Sequence, residues 1–350
     1  MKLAIVLGTR PEIIKMSPVI KECVKQKLDY FILHTGQHYS YNMDDIFFEQ
    51  LMLPKPKYNL NVGSGSYSEE ISRMRLGVGR IFEEEKPDIM LIEGDTNTCI
   101  AATIAAVRCG VMVGHIEAGL RSYYSGMPEE INRVIIDHFS TYLFAPTNNS
   151  LDNLLSEGIA WKKVFVVGNT IVDALKDIKF GNDMANILGY KQKEYALVTL
   201  HRQENVDNKY KLADIIKGLN QASEVLNIPI IYPIHPRTKK MIERYNIDTG
   251  RIHIIEPPGY FNFVQLENGA KIIFTDSGGV QEEACVLGIP CVTLRDNTER
   301  PETLEIDANM LAGSDKIVEC AKLMVDKSGW EQPFGDGDTG VKIVDIIRRY

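Results

Sequence analysis

The sequence lacks any apolar run near the roughly 20 residues a membrane-spanning helix needs, so no membrane association is expected. Its six cysteines (23, 99, 109, 285, 291 and 320) lie apart and form no CxxC pair. That excludes a zinc site or disulfide framework evident from spacing and fits a reducing compartment, so the chain is expected in the cytoplasm. There is no HExxH or similar helical ligand pair, and no metal is expected. GxGxxG and GK[ST] are both missing, which removes support for dinucleotide or Walker-type binding. A basic cluster is missing too. With a formal net charge of −8, nucleic acid is not an expected partner. An acidic protein can still hold a diphosphate if a few cations and helix N-termini converge in one place. The apolar start halts at Gly8-Thr9-Arg10-Pro11-Glu12 and reads as a first strand, not a signal peptide.

What the sequence does contain is a regular alternation. At 350 residues it exceeds what one hydrophobic core usually spans, so two domains are expected. Short apolar runs at 3–8, 30–35, 89–93, 111–116, 142–145 and 164–167 alternate with helix-like stretches. The plan repeats at 195–200, 229–234, 252–255, 271–275 and 290–294. Runs of this length between helices predict buried parallel strands, hence an α/β protein built of doubly wound sheets. The rhythm breaks at the glycine-rich stretch from Gly168 to Gly189, which places a boundary between a domain of 1–168 and one of 169–339. Residues 340–350 read as a short amphipathic helix.

In such sheets ligands sit beyond the carboxyl ends of the strands, and the unusual residues of this chain gather there. Arg10 and Lys15 follow the first strand, where a helix N-terminus and two cations favour an anion; ordinary surface cations fit the same pattern. Asp95, Glu117 and the Glu129-Glu130 pair bring three acidic segments to one sheet edge. Asp95 alone reads equally as a helix cap, and Glu129 and Glu130 as complements to a helix dipole. Glu117 resists such a reading, because a carboxylate at the end of an apolar strand is costly unless paired or functional. Crowded carboxylates drive their pKa values apart, which lets one site hold an acid and a base. In the second half, His201 and His235 occupy successive strand ends, each with an arginine nearby. Thr275-Asp276-Ser277-Gly278-Gly279 then opens a helix whose first N–H groups suit a phosphate. Gln281, Glu282 and Glu283 lie on its first turn, within reach of ribose hydroxyls, and the charged loop 295–302 follows another strand.

Together the segments GTRPEIIKMSP (8–18), TGQH (35–38), EGDT (93–96), HIEAGLR (115–121), PEEINR (128–133), HRQEN (201–205), DSGGVQEEA (276–284) and TERPE (298–302) resemble the non-hydrolysing UDP-N-acetylglucosamine 2-epimerases, in that family's order and over nearly the whole chain. The resemblance implies a GT-B-like fold, two doubly wound Rossmann-like domains facing across a cleft, with the last helix crossing back to the N-terminal domain. It implies interconversion of UDP-GlcNAc and UDP-ManNAc for polysaccharide biosynthesis, with UDP as leaving group and no cofactor. Carried over by motif, Asp95, Glu117 and Glu129 resemble the family's catalytic carboxylates and His201 its active-site histidine. Arg10, Lys15 and Arg300 look like diphosphate contacts. Ser277, Gly278 and Gly279 would hold phosphate, Glu283 the ribose, and Phe263 the uracil, with His235 at a phosphate or sugar. Gln37 and His38 match part of a second, activating UDP-GlcNAc site. A homodimer is implied as well. Departures from common bacterial members are Gln203 and His235-Pro236-Arg237.

The chemistry explains why such residues are needed. C2 of the sugar has no neighbouring carbonyl, so its proton leaves only with an activated path: elimination of UDP across C1–C2 to a 2-acetamidoglucal, then re-addition. That path calls for acid, base, cations and exclusion of water. Three other readings stay open: a hydrolysing relative releasing UDP and ManNAc, a GT-B glycosyltransferase, and a non-catalytic nucleotide-sugar sensor. The sequence does not say which carboxylate is acid and which is base.

Overall fold

A computed structural model describes residues 1–36, 41–63, 65–124, 126–178 and 183–349. Gln37 and His38 lie outside the described residues, as does Ser64. The chain divides into two compact units, Met1–Asp177 with Phe334–Tyr350, and Ile178–Pro333.

The first unit runs β1 (Lys2–Leu7), α1 (Arg10–Lys25), β2 (Asp29–His34), α2 (Tyr41–Gln50), β3 (Tyr58–Asn59), α3 (Tyr67–Glu85), β4 (Ile89–Glu93), α4 (Asn97–Arg108), β5 (Met112–Ile116), α5 (Pro128–Phe139), β6 (Tyr142–Ala145), α6 (Asn148–Ser156), β7 (Val164–Val166) and α7 (Thr170–Lys176). The second runs α8 (Asp183–Ile187), β8 (Ala196–Thr199), α9 (Gln203–Val206), α10 (Lys209–Leu226), β9 (Ile230–Pro233), α11 (Pro236–Tyr245), β10 (His253–Ile255), α12 (Tyr260–Gly269), β11 (Ile272–Thr275), α13 (Gly278–Leu287), β12 (Cys291–Thr293), α14 (Pro301–Glu305), β13 (Asn309–Leu311) and α15 (Ile317–Met324). The last helix, α16 (Thr339–Arg348), returns to the first unit.

Both sheets are parallel, with strand orders β3-β2-β1-β4-β5-β6-β7 and β10-β9-β8-β11-β12-β13. Each order reverses direction once, between β1 and β4 and between β8 and β11, and the loops leaving those strands diverge into a crevice. Every apolar run predicted as a strand forms one. Two strands escape the periodicity. β3 has two residues, and β13 is Asn309-Met310-Leu311, a half-buried edge strand too short to alternate.

The strands read as apolar on both sides because both sides are covered. In β1, Leu3 to Leu7 are fully buried. In the second sheet, Val198, Phe274 and Val292 pack into one core, while Leu197, Ile273 and Cys291 pack into the other. Successive side chains point to opposite faces, so one strand feeds two helical layers.

The unit division falls later than the glycine-marked boundary at 168/169. α7 belongs to the first unit because its ends are tied there: Asn169 N–H donates to the Phe334 carbonyl at 2.8 Å, and Lys21 pairs with Asp177 at 2.6 Å. α16 joins by close packing and hydrogen bonds. Gly340 N–H donates to Asp173 at 2.9 Å, and a Cβ on Gly340 would stand 2.8 Å from the Pro18 backbone in α1. Only a glycine lets the two helices approach this closely.

Candidate active site

In the first unit the switch-point loops carry a buried cluster of charge. Lys15, one turn into α1, forms an ion pair with Glu117, and its Nζ stands 3.6 Å from Glu93 Oε1 at the end of β4. Asn169 Nδ2 donates to Glu117 Oε1 at 2.9 Å. All four side chains are buried. Two nearby carboxylates and one ammonium cannot all be charged cheaply in a low dielectric. Burial above all, and next the charge of Glu117, push the Glu93 carboxyl well above the usual carboxylate range, against the opposing pull of Lys15. Of the two carboxyls, Glu93 is the one whose surroundings favour the protonated form.

Glu117 carries a second mark. Its φ is +67°, in the left-handed region where a residue with a Cβ pays strain of about 1–3 kcal/mol. The surroundings hold it there. Gly119 follows at φ +84°, and a Cβ on it would meet the Ser150 carbonyl oxygen at 2.3 Å. Its N–H donates to Asp137 at 3.2 Å. Asp137 also receives His115 Nδ1 at 2.7 Å and Arg121 at 2.8 Å. Burial alone would raise the Asp137 carboxyl, but His115 and Arg121 together bring it below its ordinary range. His115 Nε2 in turn donates to the Gly94 carbonyl at 2.9 Å, joining the end of β5 to the loop after β4.

Asp95 sits in that second loop. It is not the cap of α4; Thr96 is, accepting from Cys99 N–H at 3.4 Å. Asp95 instead receives Arg133 Nε at 2.7 Å, and its carbonyl receives Asn132 Nδ2 at 2.8 Å. A quarter of its side chain stays exposed. The two acids opening α5 have separate positions. Glu130 is buried, accepting from Ser122 N–H, Ser122 Oγ, Tyr123 N–H (each 2.9 Å) and Arg133 (2.8 Å), so it fixes the loop. Glu129 is half-buried on the first turn. Glu12, near Lys15, reaches back to accept Gly8 and Thr9 N–H at 2.6 and 2.7 Å and Thr96 Oγ1 at 2.5 Å. This carboxyl closes the N-terminus of α1. Half-buried Arg10 lies over the Phe47 ring, Cζ to centroid 5.7 Å.

In the second unit, four residues singled out from sequence line one cavity. His201, His235, Phe263 and Ser277, with Pro257, Pro258 and Val280 among their neighbours, enclose about 180 Å³. An engineered cavity of about 150 Å³ holds benzene, so this one has room for a single pyrimidine ring. The two imidazoles stand 5.8 Å apart, centroid to centroid. His235 is exposed and caps α11, Nδ1 accepting from Arg237 N–H at 3.2 Å. His201 is positioned by Asp276, which is fully buried and accepts His201 N–H (3.1 Å), Arg202 N–H (2.9 Å) and Asn205 Nδ2 (3.1 Å). Surrounding protein lowers the His201 pKa while Asp276, 3.3 Å from Nδ1, raises it; 39% side-chain exposure limits the first effect.

Ser277 caps α13, whose first N–H groups, from Gly278 onward, have no intrahelical acceptor. Gly278 is needed for packing: a Cβ there would stand 2.8 Å from the Arg300 guanidinium. The helix begins at Gly278, so Glu282 and Glu283 fall beyond its first turn, and Gln281, Glu282 and Glu283 do not share the one direction the sequence suggested. Glu282 turns inward to Arg300 Nε at 2.7 Å, and Gln281 is held by Thr298 Oγ1 at 2.6 Å and Asn309 at 3.1 Å. Only Glu283 of the three takes another course, accepting from Tyr260 OH at 2.9 Å. Arg295 braces the charged loop through both oxygens of Glu299 at 2.9 Å. Sequence reasoning assigned no role to Glu93, Asn169, Arg133 or Asp276, and it placed Glu282 within reach of ribose where Arg300 takes it instead. Among the described residues, no group of three or more His, Cys, Asp or Glu is arranged to hold a metal ion, and no helix is long and apolar enough to cross a membrane.

A family model for UDP-N-acetylglucosamine 2-epimerase matches residues 21–348. The UDP-N-acetylglucosamine 2-epimerase of Methanocaldococcus jannaschii is 50% identical over 361 residues, 99% of each chain. A Pseudomonas aeruginosa UDP-2,3-diacetamido-2,3-dideoxy-D-glucuronate 2-epimerase is 39% identical over 100% of both. The crystal structure of the M. jannaschii UDP-GlcNAc 2-epimerase in complex with UDP-GlcNAc and UDP is similar at a TM-score of 0.94, covering 100% of each chain. That of the Neisseria meningitidis enzyme bound to UDP-GlcNAc is similar at 0.91, with 35% identity and 100% coverage of each. This chain belongs to the UDP-N-acetylglucosamine 2-epimerase family.

Proposed function

We propose that this chain interconverts UDP-GlcNAc and UDP-ManNAc at C2 without releasing the sugar. The observation that carries the reading is the buried Lys15–Glu117 pair beside Glu93, held at the switch point of the first sheet by a strained Glu117. A backbone outlier so firmly braced belongs to sites where placement matters more than stability. The choice of sugar follows the relatives of 49–50% identity, which are UDP-N-acetylglucosamine 2-epimerases.

The reaction is an elimination and its reverse. A base takes the C2 proton, the C1–O bond breaks, and UDP leaves with the electron pair, giving 2-acetamidoglucal. Return of UDP to C1 and of a proton to the opposite face of C2 completes epimerisation, with no net water consumed. Asp95, Glu117 and Glu129 are assigned to the proton transfers, and Arg10, Lys15 and Arg300 to the charge that develops on the leaving diphosphate. The second unit is assigned the nucleotide: uracil beside Phe263, ribose at Glu283, and phosphate at the Ser277-Gly278-Gly279 turn, with His201 and His235 flanking.

Incubation with UDP-GlcNAc followed by ion-exchange separation tests the reading. A stable mixture of UDP-GlcNAc and UDP-ManNAc is the expected result. Stoichiometric UDP with free ManNAc would replace it with the hydrolysing reaction, and an unchanged substrate would remove the epimerase assignment.

A further inference from the structure

Glu267 in α12 is fully buried, and neither of its oxygens has a hydrogen-bond donor among the described residues. An ionised carboxylate in that position would cost more than the site returns, so the group is neutral and must place its own proton. The groups facing it are Glu283 from α13, Tyr260 from its own helix, Tyr195 just before β8 and Cys291 from β12; none is a cation. Tyr195 OH is spent on the Leu266 carbonyl at 2.6 Å, and Lys193 on the carbonyls of Asn268 and Ala270. Tyr260 OH donates to Glu283 Oε1 at 2.9 Å. Glu283 is the acceptor left for the Glu267 proton, and the carboxyl–carboxyl hydrogen bond raises Glu267 further above the usual range after burial has done so.

We propose that Glu267 and Glu283 share one proton, Glu267 donating to the Glu283 carboxylate, and that this proton positions Glu283 to accept the two ribose hydroxyls of a uridine nucleotide. The inference rests on the assignment of Glu283 to ribose. Glu267 is a positioning residue: it touches no ligand and acts through Glu283. With Tyr260 and Glu267 both donating, Glu283 stays ionised and fixed in rotation, leaving lone pairs for the ribose. When pH rises enough to remove the shared proton, two buried negative charges face each other and the acceptor geometry is lost.

The test is UDP affinity by calorimetry across pH for the wild type, Glu267→Gln and Glu267→Leu. Taking each variant relative to the wild type cancels the titration of UDP itself. Wild-type affinity is expected to weaken as pH rises through the raised carboxyl range, approaching on the order of tenfold per pH unit once the shared proton is lost. Glu267→Gln, a donor that cannot ionise, is expected to match the wild type near pH 6 and to lack this alkaline loss. Glu267→Leu, with no donor, is expected to bind roughly tenfold more weakly near pH 6. Parallel curves for wild type and Glu267→Gln would overturn the proposal. Thermal unfolding gives an independent reading that needs no ligand. The native pair keeps a proton that the unfolded chain releases near its ordinary value of about 4.3. Stabilisation from it is therefore complete below that pH and lost as pH rises through the raised native value. The Tm of Glu267→Gln relative to wild type should rise from pH 5 toward about pH 9; a constant difference would also overturn the shared proton. If UDP fails to bind the wild type while the Tm difference moves as expected, the proton pair stands, its positioning role is overturned and the ribose assignment falls.

Discussion

Replacing Glu117 by Gln is expected to lower epimerase turnover by about 10²–10⁴-fold, the usual contribution of a positioned acid or base. The change keeps shape and an acceptor for Asn169, so the loop has no steric reason to move. What it removes is the charge opposite Lys15. A buried ammonium stripped of its partner would ordinarily cost about 3–5 kcal/mol. Here a substitute is at hand. Glu93 Oε1 is 3.6 Å from the same ammonium, and one cause of its raised pKa is the Glu117 charge. With that charge gone, Glu93 can ionise and take over part of the pairing, so the stability loss should stay near 1–3 kcal/mol. UDP affinity, most of whose assigned contacts lie in the second unit, should change by less than about threefold, under 1 kcal/mol. Steady-state kinetics, UDP calorimetry and denaturant unfolding separate the three quantities. Near-normal turnover would remove Glu117 from the chemistry, and a loss of turnover equalled by a loss of folded protein would make its role structural.

The largest stability effect is expected at Asp276. Its carboxylate is fully buried and closes the 201–205 turn through two backbone N–H groups and the Asn205 amide. Asp276→Ala leaves those donors buried and unmet, each costing about 1–3 kcal/mol. Relaxation of the turn recovers some of this, for an expected net loss of about 3–5 kcal/mol against a typical total stability of about 5–15 kcal/mol. Asp276→Asn retains one acceptor oxygen and should fall between Ala and wild type. The urea midpoint should shift with little change in slope. An unshifted midpoint for Asp276→Ala would show that water reaches the turn and that Asp276 does not hold it.

These two residues also mark how far the sequence could be read. Strand ends announced themselves because a buried parallel strand is an apolar run, and its first polar residues must lie at the sheet's edge. That logic located His201, His235 and Ser277, which line one cavity with Phe263, a residue only the family resemblance suggested, and Lys15 and Glu117, which pair. It did not reveal which polar residues look inward. Glu282 and Glu283 are adjacent in sequence and look alike, yet one is taken by Arg300 and the other faces Tyr260 and Glu267. Asp276 reads as one letter of a glycine-rich turn, while its partners are some 70 residues earlier in the chain. Glu93 reads as the close of β4, and only its burial beside Glu117 in the folded chain raises its carboxyl, against the pull of Lys15. Asn169 read as punctuation at a domain boundary, but it reaches Glu117 and anchors α7 to the first unit. Long-range pairing of this kind has no local period, so no pattern of spacing announces it. β13 was missed for a related reason: three residues with an asparagine first carry no alternation to detect.

The central claim is that the C2 proton leaves and returns while the sugar stays with the protein. Proton NMR of the purified protein with UDP-GlcNAc in D₂O tests it directly. The account requires both UDP-GlcNAc and UDP-ManNAc at equilibrium, each carrying deuterium at C2, with little free UDP. Epimers that retain protium at C2, or UDP and ManNAc accumulating in equal amounts, would contradict it.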